Sequence, residues 1–460
     1  MSSHDVSART SHEADERTIQ NGSGVLKYDE KTDVDTERII EDVDDFPDGG
    51  FRAWLVVFGV LAGSIATFGF VNAWGVFQAY YEQNTLKDLS PSTIAWIGSI
   101  QYSLIFLPGL VVGKLFDRGI LKVPLAISSV LLTVATLLVA ECHEYWQFLL
   151  CQGFALGLSA GVAFGPLPAA ISHWFKRRRG LGLGMMALGS SIGGTLFPVA
   201  VRNLIDEVGF KWTMRILALI VFVLMVVTNL TVVGRLPPKK DLGPFFDIRE
   251  FKSVVYSLYC LSAFVAFLGL YTVQTYIDVS ASAAGVDSNF SFYLLSISNA
   301  GSAVGRIIAG PMVDSWGGFN VLIPYTFVCG AMTFGWPFIK SKGGFIAIGL
   351  VYGACSGVYA AMITAPIFTV GRTENIGLRI GMFFSILAFG AMAGPPISGA
   401  INNATGNFKA TGYFAGMCRC RNGNPLLLLK PLLGSTVMCS VAIMIACRQL
   451  RSGGKLRGKV

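Results

Sequence analysis

The chain is poor in charge. Asp, Glu, Lys and Arg make up 14% of its 460 residues, against about 25% in soluble domains. Histidine occurs four times. With 53% hydrophobic residues and a mean hydropathy of +0.57, the composition excludes an ordinary water-soluble enzyme and points to a chain whose solvent is mostly lipid. Its apolar runs lack the alternation that membrane strands need, so a β-barrel is excluded. No phosphate-binding P-loop occurs, so ATP-driven pumping by this chain is not expected. The nine cysteines show no metal-ligand or disulfide spacing, and read as small apolar packing residues. No basic-then-apolar start follows Met1, so no cleavable leader is expected.

What is present is a succession of long apolar runs. They cover 53–80, 93–112, 121–140, 146–170, 180–202, 213–233, 253–277, 292–312, 320–339, 344–370, 378–401 and part of 411–447. Each approaches the roughly 20 residues that carry a helix across the hydrocarbon core. The expected fold is an all-α membrane protein of twelve transmembrane helices. Ahead of the first run, residues 1–50 hold fourteen Asp/Glu and five Lys/Arg, so residues 1–48 read as a disordered acidic tail. The sequence pI near 9.0 does not signal nucleic acid, because the basic residues sit between apolar runs. With the N-terminus cytoplasmic, the inner loops hold fourteen Lys/Arg and the outer loops six. Both termini are therefore expected inside.

A repeat organises these runs. At an offset of 197, Gly113 meets Gly310, Asp117 meets Asp314, Gly180 meets Gly377, Gly184 meets Gly381 and Pro198 meets Pro395. The expected organisation is an N-terminal six-helix half at 49–233, a linker at 234–252 and a C-terminal half at 253–460, two halves in parallel register. The stretch GKLFDRG at 113–119 then falls in a short break between the second and third runs. Its glycines allow close helix approach. Asp117 is placed to meet the positive N-terminal end of a neighbouring helix or a basic loop residue. Such a contact holds one face together and breaks when the halves rock.

GKLFDRG and its copy GRIIAGPMVDSWG at 305–317 resemble the signature loops of the major facilitator superfamily, over roughly residues 47–416. The resemblance implies that Gly113, Asp117, Arg118, Gly310 and Asp314 serve the cytoplasmic gate. Ser315 stands where the second copy would carry the counterpart of Arg118. PDGGFRAW at 47–54 looks like the opening motif of the monocarboxylate porter group, especially its fungal branch. Proton-coupled members of that group use a Lys late in the first span and an Asp–Arg pair in the eighth. Here those places hold Asn72, Ser302 and Arg306, a pattern that does not match simple carboxylate–proton symport. The resemblance implies a small organic substrate, monocarboxylate-like or a secondary metabolite.

Arg306 is an ionisable residue well inside an apolar run, at a cost of roughly 2.5–3.5 kcal/mol on insertion scales. It should face a wet cavity or a partner, and so either binds an anionic substrate group or supports the gate. Asn72, Gln101 and Tyr102, with Tyr271, Gln274, Tyr276 and Asn299, are polar groups in the first, second, seventh and eighth spans. They suit a midplane pocket for a polar or aromatic molecule. His173 and the run Lys176, Arg177, Arg178 and Arg179 close the fourth span as a topology anchor at the headgroups. Residues 189–193 match G-x-S-x-G, but in a small-residue span close helix packing explains them.

The function expected is a secondary transporter working by alternating access, with a membrane nutrient or metabolite sensor of the same fold as the alternative, and no enzyme. No cofactor or metal is expected, and protons are the candidate coupling ion. The expected partners are a small-molecule substrate and membrane lipid, without nucleic acid, and a monomer suffices. The plasma membrane is the expected site, with the vacuolar membrane as alternative.

The twelfth run is interrupted by residues 417–434, which carry charges and two prolines and make a poor helix. Without them the flanks join as TGYFAG-STVMCSVAIMIACRQ, one clean span. Gly416-Met417-Cys418 can be encoded with GTATGT and Leu433-Gly434 with TAG, the borders of a fungal intron whose removal keeps the frame. Sequencing cDNA across codons 410–440 is expected to find transcripts without this segment; transcripts that all retain it refute the idea.

Overall fold

The computed structural model describes residues 47–235, 248–370, 376–405 and 433–452, and contains no strand among them. The first four long helices are α1 (Phe51–Thr85), α2 (Pro91–Asp117), α3 (Lys122–Val139) and α4 (Tyr145–Ser172). A continuous stretch, Arg179–Thr231, follows. It is two helices, α5 (179–208) and α6 (210–231), because Gly209 between them has φ 77°, a conformation open to glycine. After them come α7 (Val254–Ala283), α8 (Ser288–Trp316), α9 (Gly318–Phe338), α10 (Lys342–Thr369), α11 (Ile376–Thr405) and α12 (Leu433–Ser452). Nine stretches among the described residues are long and apolar enough to cross a membrane, the α5–α6 pair counting as one. α8, with 29 residues, and α12, with 20, are also of spanning length.

Local chemistry starts the helices. Ser90 Oγ accepts the Thr93 N–H at 3.3 Å ahead of α2, with Pro91 in the first turn. Asp287 Oδ2 accepts the Phe290 N–H at 3.3 Å ahead of α8, and Ser341 Oγ the Gly344 N–H at 3.2 Å ahead of α10. Each satisfies a donor that the helix itself leaves open. Ser90 and Asp287 are again 197 positions apart. α1 and α7 are both interrupted near mid-length, at Asn72–Ala73 and at Leu270–Tyr271. Broken helices at membrane depth occur where backbone lines a cavity or is covered by protein. At the second break the Tyr352 hydroxyl donates to the Leu270 carbonyl.

Burial sorts the helices into inner and outer. The most apolar stretches of α1 and α11 are 72% buried, those of α3 and α9 39%. α3 turns Val123, Ile127, Val130, Leu131 and Val134 outward, which suits a lipid-facing helix. The inner helices cross backbone to backbone. A Cβ on Gly113 of α2 would lie 2.1 Å from the Gly377 carbonyl oxygen of α11, and one on Gly180 of α5 would lie 2.5 Å from that of Gly310 of α8. No side chain fits at either crossing.

Four expectations need correction. The loop between the fifth and sixth runs shrinks to the Gly209 break, so Arg202 is helical. Lys114, in the GKLFDRG break, and Arg379, beside the start of the eleventh run, are two of the fourteen charges assigned to inner loops, yet they lie in α2 and α11 and are 2% and 0% exposed. The helices reach further than the apolar runs because chain ends of a span can carry charge once neighbours cover it. The last helix lies at 433–452 rather than within 411–447. Most of 417–434, of the acidic tail and of the linker falls outside the described residues.

Gly113→Ala is expected to cut both protein level and flux at least about fivefold, since contact under 3 Å forces the α2–α11 crossing apart. Gly343→Ala, which meets nothing within 4 Å, is the control expected to behave as the parent; comparison of abundance and flux in membranes checks both.

Candidate functional site: paired carboxylate caps and an aromatic seam

Two carboxylates tie the first six helices to the last six. Asp117, ending α2, accepts the Gly377 N–H at 3.1 Å on Oδ1 and the Leu378 N–H at 2.9 Å on Oδ2. Asp314, near the end of α8, accepts the Gly180 N–H at 2.7 Å and the Leu181 N–H at 3.0 Å in the same way. Each thus caps the first turn of a helix in the opposite half. These N–H groups have no partner inside their own helix, and the helix dipole adds a positive potential there. Hydrogen bonds to a charged acceptor contribute about 1.5–3 kcal/mol each. The glycines at 180 and 377 leave room for the carboxylates: a Cβ on Gly377 would sit 2.4 Å from Asp117 Oδ1. Gly113 and Gly310 supply the close approach one turn deeper. Arg118 follows Asp117 on the exposed surface. Ser315 donates to its own helix, at the Pro311 carbonyl 2.8 Å away.

Further along the same seams, contacts continue to mid-span. Ser103 Oγ donates to the Ala388 carbonyl at 3.0 Å and Ser385 Oγ to that of Leu107 at 3.0 Å, joining α2 to α11. Between α5 and α8, Arg306 Nη1 donates to the Ala187 carbonyl at 2.7 Å and to Ser190 Oγ. Asn299 Nδ2 donates to the Gly194 carbonyl at 3.0 Å. Arg306 therefore reaches across the seam, and its Nε is buried without a partner among the described residues. Asn72, at the break in α1, donates to the Ser190 carbonyl at 3.4 Å and packs with Asn299 on Gly194.

Around mid-span, aromatic rings from both halves meet. Tyr102 and Tyr271 pack edge to face at 5.5 Å, and both hydroxyls lie within electrostatic reach of Arg306. Tyr102 and Phe106 of α2 touch Phe68 of α1, and Phe106 touches Phe267 of α7 and Phe384 of α11 at 5.6 Å each. Tyr359 of α10 approaches Phe267 with its hydroxyl buried and without a hydrogen-bond partner among the described residues. Ring edges and faces of this kind suit another π-system. Of the polar residues singled out by sequence, Tyr102, Tyr271, Arg306, Asn72 and Asn299 thus converge. Gln274 bonds within its own half, to Ser298 and Ser356 at 3.4 Å, and Tyr276, two residues on, is half-buried. Gln101 is 1% exposed with neither amide atom partnered among the described residues, its backbone against Gly157 of α4. Sequence reasoning missed the phenylalanines and Tyr359. In a chain with 33 Phe, ring type alone does not separate seam from lipid face. Among the described residues no group of His, Cys, Asp and Glu could hold a metal.

His173 sits just beyond α4. Its Nδ1 accepts the Arg235 N–H at 3.4 Å and its ring packs on Phe116 at 4.6 Å. Burial, and then the Arg179 charge, pull its pKa down to about 4.

The Major Facilitator Superfamily profile matches residues 59–367. The chain is 36% identical over 391 residues to an MFS-type transporter of Gibberella moniliformis, covering 84% of this chain and 92% of that one. It is 34% identical over 372 residues to the aspyridones efflux protein apdF of Emericella nidulans, covering 80% and 76%. Among solved structures, the human organic anion transporter MFSD10 superposes with a TM-score of 0.64 at 14% identity, covering 85% of this chain and 98% of that one. FucP, in the outward conformation, gives 0.62 at 16%, covering 85% and 99%.

An imidazole at about 4 when folded and about 6.5 when unfolded leaves stability unaffected above pH 6.5. It removes stability progressively as the pH falls from 6.5 toward 4. His173→Gln is therefore expected to flatten the drop in thermal midpoint between pH 6.5 and 4, measured in detergent, while leaving flux between pH 7 and 8 unchanged.

Proposed function

Because the chain belongs to the Major Facilitator Superfamily of membrane transporters, we propose that it is a secondary carrier moving a partly aromatic small organic molecule by alternating access. The observation that carries this reading is the reciprocal pair of carboxylate caps, Asp117 on α11 and Asp314 on α5. Two equivalent, breakable fastenings at one end of two equivalent halves are what a rocking mechanism requires. The end they close carries Arg118, Lys122 and the run 176–179, so by the positive-inside bias it faces the cytoplasm. The inter-half hydrogen bonds described above run from that end to mid-span, which suits a carrier shut toward the cytoplasm with its passage turned outward.

The aromatic seam suits the cargo. Rings from α1, α2, α7, α10 and α11 offer stacking surfaces, and Arg306, with the Tyr102 and Tyr271 hydroxyls, offers hydrogen bonds to an acidic or oxygen-rich edge. A secondary metabolite combining a ring with such an edge fits better than a short aliphatic acid. The Emericella nidulans relative, an aspyridones efflux protein, favours export. With no ATP site recognised in the sequence, the driving force is the cargo's own gradient or a coupled proton, each charge moved drawing about 2.3 kcal/mol per 100 mV.

Purified protein in lipid vesicles is expected to exchange a labelled aryl carboxylate faster than lactate. Asp117→Asn is expected to lower that exchange about tenfold at normal protein level, about 1.4 kcal/mol for one weakened cap. Exchange unchanged in the variant, or loss of protein in step with loss of flux, would remove Asp117 from the gate.

A further inference from the structure

Asp48, just ahead of α1, is fastened to the turn that leads into the gate. Asp48 has φ 41°, in the left-handed region that residues other than glycine seldom occupy. Its Oδ1 accepts three successive backbone N–H groups, from Lys176 at 2.7 Å, Arg177 at 2.7 Å and Arg178 at 3.3 Å. Successive N–H groups converging on one point form an anion-binding concavity, and here the protein's own carboxylate fills it. Six residues on, Trp54 packs edge to face on Phe175 at 5.5 Å. The segment so held, 175–178, is the whole connection between α4 and α5 beyond Trp174.

That connection runs straight into the gate. The Arg179 guanidinium lies 4.6 Å over the Phe368 ring of α10, and its Nε donates to the Phe175 carbonyl at 3.1 Å. The next two N–H groups, of Gly180 and Leu181, are those that Asp314 accepts. Seven consecutive residues are thus pinned from two sides: 175–178 by the start of α1 in their own half, and 179–181 by the other half.

We propose that Asp48 is a positioning residue of the gate. It holds the 176–178 turn so that the Gly180 and Leu181 N–H groups stay aimed at the Asp314 carboxylate, and it makes that turn travel with α1 when the halves part. Asp48 touches neither cargo nor Asp314 and acts through the turn. Asp at this position combines a tolerated left-handed backbone with a charged acceptor. Asn keeps the backbone and a weaker acceptor, and Gly keeps the backbone alone.

The inference rests on the gate reading, and the test separates the two. Ser190→Cys, on the α5 side of the seam, is introduced into the full chain, and its alkylation by a membrane-impermeant maleimide from the basic side is timed in inside-out vesicles. The signal above that of the parent with Ser190 intact reports opening of that side. Asp314→Asn in this background is expected to speed alkylation; no change there means that the gate reading itself fails. Given that response, Asp48→Gly is expected to speed alkylation about threefold to tenfold at normal protein level, and Asp48→Asn by less. If the Gly variant does not accumulate, Asp48→Asn carries the test with an expected rise of about threefold. A rate equal to the parent's in the variants that accumulate overturns the proposal.

Discussion

A helix that begins inside a membrane protein leaves its first N–H groups without partners, and in a medium poor in water such groups are costly. In this chain two helices, α5 and α11, solve that problem with a carboxylate borrowed from the opposite half. The rest of the molecule is arranged around that loan. Glycines at 113, 180, 310 and 377 clear the backbone approach, and a strand of polar contacts extends it toward the centre. In the proposed mechanism, two such bonds per cap hold a closed face and are exchanged when water or another state offers the freed N–H groups an acceptor.

Much of this was legible in the sequence because it depends on small residues and charge. An apolar run about 20 residues long has few alternatives to a spanning helix, and the offset of 197 placed Asp117 and Asp314 at matching points. The chemistry of a carboxylate beside a helix start then suggested its partner. Arg306 stood out since a charge in an apolar run demands an explanation; the structure places its guanidinium on the Ala187 carbonyl across the seam. The same logic misjudged Lys114 and Arg379, which looked like loop charges but are covered by neighbouring helices. Charge marks the end of a span in sequence, whereas burial depends on what packs beside it.

The aromatic seam was not legible. Tyr102 and Tyr271 were noticed for their hydroxyls, while Phe68, Phe106, Phe267 and Phe384 are indistinguishable in sequence from rings that face lipid. What separates them is the facing helix, and helix rotation leaves a weak trace where nearly every position is apolar. Asp48 was likewise assigned to the disordered tail 1–48, a boundary that the structure corrects, because its partners are three backbone N–H groups 128 to 130 positions away. Backbone donors have no sequence signature at all.

Gly209 joins α5 to α6 without any intervening loop. A connection of one residue stores no slack. Any tilt of α5 as its cap is released must be handed to α6, which belongs to the outer, lipid-contacting part of the same half. Under the proposed rocking mechanism, the glycine turns a disengagement of an inner helix into displacement at the rim of the bundle, where the surrounding acyl chains, by their thickness and order, gain a mechanical hold on the change of shape.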